Sequence, residues 1–61
     1  MEKILKHQEH NTYIGCVISL VKESQMNYGG FYSVWVGTNC VDFVLSLDAA
    51  NEMYVNFLNI K

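Results

Sequence analysis

Both alternate sets of side chains in the central strands of this chain are apolar, and that restricts its fold more than any other feature. Across residues 13–21, Tyr13, Gly15, Val17, Ser19 and Val21 alternate with Ile14, Cys16, Ile18 and Leu20. Across residues 31–37, Phe31 and Trp35 fall on one side, with Tyr32, Val34 and Val36 on the other. A sheet that is apolar on both faces needs cover on both. The sequence offers one good helix, near its C-terminus. One face of the sheet is therefore expected to be covered by another molecule.

The chain has 61 residues, enough for a single domain spanning 1–61. A domain of that size buries only about 60% of the surface its unfolded chain exposes, so a partner subunit, a disulfide or a metal commonly supplements the core. At 51% hydrophobic and 16% charged, the sequence is too apolar for intrinsic disorder. Its surface also cannot be uniformly charged.

The formal net charge is −2, and Lys3, Lys6, Lys22 and Lys61 are its basic residues, with no arginine. Phosphate recognition favours the planar guanidinium, and these lysines are scattered. Nucleic acid is not expected as a partner. The longest apolar run is far short of the roughly 20 residues a membrane-spanning helix requires. Residues 1–10 lack the continuous apolar stretch of a secretory signal. The two cysteines, Cys16 and Cys40, are expected as free thiols in the cytoplasm, where disulfides are rare.

Residues 1–10 read as a weak N-terminal edge strand or a tail, with lysines that discourage edge-to-edge pairing. Residues 12–46 read as an antiparallel sheet. Within it, residues 12–22 form the clearest strand, with Gly15 as a bulge or a close backbone approach. Asn27, Tyr28, Gly29 and Gly30 signal a turn, residues 31–37 a second strand and residues 40–45 a third. Placing Thr38 and Asn39 as a two-residue loop opposes Val36 to Val41, Val34 to Phe43 and Tyr32 to Leu45. It also puts Trp35 across from Asp42 and Ser33 across from Val44.

Residues 47–60 read as a helix. Ser46 or Asp48 can cap its first N–H groups, and Leu47, Ala50, Met53, Tyr54, Phe57 and Leu58 recur at helical spacing. That stripe is expected to pack on Val34, Val36, Phe43 and Leu45. Strands followed by a helix predict an α+β fold: a three- to four-stranded antiparallel meander with one C-terminal helix packed on one face.

Candidate chemistry is sparse. His7, Glu9, His10 and Cys16 have metal-ligand side chains, but the weak N-terminal segment offers them no stable geometry, and the reading preferred here is solvent-exposed histidines. Neither cysteine lies in a recognised nucleophile motif, and both suit the role of small hydrophobes. The chain is expected to be non-enzymatic and to carry no cofactor or metal.

The strongest site hypothesis is a contact face made of Phe31, Trp35 and Val44, joined by Tyr13, Val17 and Val21. Aromatic residues often dominate the energetics of interfaces. Asp42 beside Trp35 would accept a hydrogen bond or an arginine from the partner, and Tyr28 at a turn tip would probe it. These features predict a small protein–protein interaction module, an inhibitor or adaptor acting by surface occupation. Its partner would be itself, as a homodimer, or a larger target protein, and phage or mobile-element proteins that block host machinery are one setting for such chains. The alternatives are a homo-oligomer that binds or sequesters a nucleotide-like small ligand and, third, a nucleic-acid-binding module that stacks bases on the sheet.

Overall fold

The computed structural model describes residues 2–25 and 28–61, and the side chains of 3–24 and 30–61. Four strands, β1 (Glu2–Asn11), β2 (Cys16–Gln25), β3 (Tyr28–Val36) and β4 (Asn39–Val44), precede one helix, α1 (Leu47–Leu58). The strands form one antiparallel sheet in the order β1-β2-β3-β4. The helix packs on one of its faces, giving the expected α+β arrangement.

Ser46 caps the helix: its hydroxyl accepts from the Ala49 N–H at 3.4 Å, and Asp48 places negative charge in the first turn. The apolar stripe then meets the sheet, except for Leu47, which stays exposed in the first turn. Ala50 and Tyr54 are buried with Ile18, Leu20 and Val34, while Met53, Phe57 and Leu58 close around them with Ile14, Tyr32, Val36 and Val44. Val55 and Ile60, off the stripe, stay exposed. Helix residues three and four apart share a face, which is why these side chains meet a flat apolar surface together.

The strands differ from the sequence reading in four respects. First, β1 is a full ten-residue edge strand, with a bulge between Leu5 and His7. Second, residues 12–15 turn back instead of opening the long strand. Gly15 adopts φ +72° there, and its N–H donates to the Asn11 carbonyl at 2.9 Å. Only glycine takes that left-handed conformation without strain.

Third, the β3–β4 register differs. Val36 pairs with Asn39 and Trp35 with Cys40; after an irregularity, Val34 pairs with Asp42, Ser33 with Phe43 and Tyr32 with Val44. Side chains alternate between faces along a strand, so a one-residue slip exchanges them. Val44 therefore points to the helix side, Phe43 lies on the opposite face, and Leu45 is exposed. Neither Phe43 nor Leu45 packs under the helix. Fourth, β3 starts earlier than expected: Tyr28, Gly29 and Gly30, read as turn residues, belong to it, with Tyr28 paired to Gln25, while residue 27 of that turn lies outside the described residues.

Candidate functional site: the open sheet face

The helix covers the face that carries Ile18, Leu20, Val34 and Val36. Cross-strand pairing assigns the other face to Lys3, Leu5, Gln8 and His10 of β1, to Val17, Ser19, Val21 and Glu23 of β2, to Phe31, Ser33 and Trp35 of β3, and to Cys40 and Phe43 of β4. Among the described residues, no helix or loop covers this second face. Its large side chains shield one another only in part: Val17, Val21, Phe31 and Trp35 are half-buried, whereas Leu5 is 53% exposed and Phe43 58%.

Phe31 and Phe43 meet edge to face, with ring centroids 5.5 Å apart, a geometry favoured by the ring quadrupoles. At the end of the β3–β4 pair they join Val44 and Leu45 in lining an apolar groove of about 320 Å³. The Trp35 indole lies along β3 and donates its Nε1–H to the Ser33 Oγ at 2.9 Å. That bond satisfies the indole and fixes how it lies, since buried polar groups need partners. Beside it, Lys3 Nζ sits 3.5 Å from Glu23 Oε1 and 5.8 Å from the Trp35 ring centroid. The open face thus carries Val17, Val21, Phe31, Trp35 and Phe43 as its apolar and aromatic part, with the Lys3–Glu23 pair beside Trp35 and polar Gln8, His10 and Ser19 toward the β1 edge.

Of the residues read from sequence, the structure brings Phe31, Trp35, Val17 and Val21 together on this face. Asp42 is not beside Trp35. It pairs with Val34, is exposed, and its Oδ1 accepts from the Phe43 N–H at 2.8 Å. Tyr13 lies in the β1–β2 turn and is 72% exposed. Val44 belongs to the helix side but reaches the groove at the sheet edge. The side chain of Tyr28 lies outside the described residues.

Among the open-face residues outside the sequence-read site are Phe43, Glu23 and Leu5, together with Lys3 and Ser33, which contact Glu23 and Trp35. Phe43 was assigned to the helix side by the slipped register. Glu23 fell in a stretch read as polar connection. Leu5 lies in the weak N-terminal segment, and the bulge before His7 separates it from the helix side that His7 joins.

His10 lies on the open face, and His7, Glu9 and Cys16 share registers with the helix side. Among the described residues, no three His, Cys, Asp or Glu side chains converge as a metal set would. Both cysteines are free and half-buried. Burial pushes the Cys40 thiol up from its ordinary value, and the negative charge of Glu23 adds to the shift. A thiol held protonated is a poor nucleophile. Among the described residues, no helix is long and apolar enough to cross a membrane.

The chain matches no known protein-family model, and no curated protein or solved structure shows significant similarity to it.

Proposed function

We propose that this chain is a non-enzymatic protein–protein interaction module that binds through its open sheet face. One observation carries the reading: the helix buries Ile18, Leu20 and Val34 completely, while the apolar face behind them keeps Leu5 and Phe43 more than half exposed. Exposed apolar side chains gathered on one face mark association surfaces. Strands lie about 4.8 Å apart and rise about 3.3 Å per residue, so a four-stranded face of this length offers on the order of 500 Å² before side-chain relief. A standard interface takes roughly 800 Å² from each partner. A partner that fills the adjoining groove at Phe31, Phe43, Val44 and Leu45 would make up much of the difference.

The reading includes a cytoplasmic setting with reduced thiols and action by surface occupation, as an inhibitor or adaptor does. A phage or mobile-element origin fits that mode of action. The nucleotide-like alternative has less support, because the groove is lined by four apolar side chains and no cation. Nucleic acid has less still: base stacking without a cationic track binds weakly.

Light scattering on gel-filtered extract from cells that make the protein tests this reading. The wild-type chain should run well above its 7.0 kDa monomer mass. Phe43→Glu and Trp35→Glu, each folded by circular dichroism, should run at monomer mass. A monomeric wild type, or variants that keep the larger mass, would remove the open face from the account.

A further inference from the structure

Glu23 lies on the open face, between Lys3 of β1 and Phe31 of β3. Its side chain is only 5% exposed, and its Oε1 has Lys3 Nζ at 3.5 Å. Its Oε2 is buried, with no hydrogen-bond partner among the described residues. A distance of 3.5 Å is long for a charge-assisted bond, which runs about 2.7–2.9 Å. A buried carboxylate oxygen without a donor is costly and calls for an explanation.

Lys3 holds this place loosely. It reaches in from an edge strand, and its own side chain is 57% exposed. Its ammonium also stands 5.8 Å from the Trp35 ring centroid, within the range of a cation–π contact. The Ser33 hydroxyl keeps that indole in place. A fixed aromatic face beside an under-satisfied carboxylate is a pair of groups suited to an organic cation, and a surface lysine is the cation at hand.

The geometry points to a receiving site for a partner's arginine side chain at Glu23 and Trp35, from which Lys3 is displaced. This rests on the open face being the contact surface, and it specifies what that surface reads. A guanidinium presents parallel N–H donors to both carboxylate oxygens and stacks on an indole, whereas an ammonium is a compact point charge. It would satisfy the Oε2 that Lys3 leaves bare. This chain contains no arginine, so a second copy cannot supply the group. The occupant is a different protein, one that presents an arginine flanked by apolar residues able to pack on Phe31 and Phe43. Displaced, Lys3 swings into solvent, and the incoming cation neutralises Glu23 in its place.

Nuclear magnetic resonance titration with Nα-acetyl-arginine amide tests the assignment. The Trp35 indole N–H and the Glu23 amide should shift saturably. The citrulline and lysine analogues should bind at least several-fold more weakly. Lys3→Ala should tighten the arginine analogue several-fold, and Glu23→Gln should weaken it at least tenfold. The assignment is overturned by no saturable shift in either wild type or Lys3→Ala, by equal binding of the citrulline or lysine analogue, or by a folded Glu23→Gln that binds like wild type. Should Glu23→Gln fail to fold, the contrast between arginine and citrulline in the wild type decides alone. If the arginine analogue fails while Phe43→Glu still strips the chain of its partner, the open face stands and only the arginine assignment falls. If both fail, the face falls as well.

Discussion

Asn11 closes the C-terminal end of the helix: its Nδ2 donates to the Phe57 carbonyl at 2.9 Å. The same nitrogen lies 3.2 Å from the carbonyls of Leu58 and Ile60. The last carbonyls of a helix have no partners within it, and this one has no basic residue in its last turn. The other end of the amide organises the β1–β2 turn, with Oδ1 accepting from the N–H groups of Tyr13 at 2.9 Å and Ile14 at 3.3 Å. One buried side chain thus ties the first hairpin to the end of α1.

Asn11→Ala should therefore cost about 2–3 kcal/mol, because several buried groups lose their partner together. Asn11→Asp should cost at least as much at neutral pH, since a carboxylate would face the helix carbonyls without a proton to donate. Urea unfolding midpoints of the two variants check this.

The two faces of the sheet should respond differently to truncation. Leu20→Ala removes a fully buried side chain and should cost about 2–5 kcal/mol. Phe43→Ala removes one that is mostly exposed and should cost less than about 1 kcal/mol in the free chain. Similar losses at both positions would mean that Phe43 is buried in the isolated molecule.

Gly30 should not tolerate a side chain. Its φ is +93°, and a Cβ there would lie 3.0 Å from the Glu23 carbonyl oxygen. Gly30→Ala should destabilise by more than the roughly 1 kcal/mol that left-handed backbone alone costs an alanine. Gly15→Ala meets open space and should cost only that amount. Thermal melts of the pair separate the steric contribution from the conformational one.

Alkaline pH should destabilise the chain. Burial raises the Tyr54 phenol, with the charge of Glu9 adding to the shift, and burial likewise raises the Cys40 thiol. A folded-state value above the unfolded one means that the folded state holds its proton longer. The stabilisation is complete below the unfolded values, about 8.5 for Cys and about 10 for Tyr, and is lost as pH rises past them. Stability should be insensitive to these two groups near neutrality and fall from about pH 9 upward. Tyr54→Phe should flatten the fall above pH 10, a window set by the ordinary tyrosine value of about 10.

The helix and the general fold were legible in the sequence because helical spacing, an N-cap serine and two-sided apolar strands are local patterns. What stayed hidden depends on parity and on distant contacts. The irregularity that follows Cys40 adds a residue to β4 and so exchanges Phe43 with Val44, and no local signal marks it. Tyr13 and Ile14 look like strand residues, yet Asn11 and Gly15 bend them into a turn. The amide of Asn11 finds its helix carbonyls 46 residues or more away in sequence. Glu23 reads as an ordinary polar residue until the sheet sets it between Lys3 and Phe31. Asp42 was the acidic residue singled out beside Trp35, and the true register gives that neighbourhood to Cys40, with Glu23 further along the same face.

A photo-crosslinking residue placed at position 43 or at position 55, in cells that make the protein, tests the central claim most directly. Position 43 is on the open face and position 55 on the outer side of the helix. The account predicts a covalent adduct of one discrete mass from position 43 and none from position 55. No adduct at 43, or the same adducts from both positions, would contradict it.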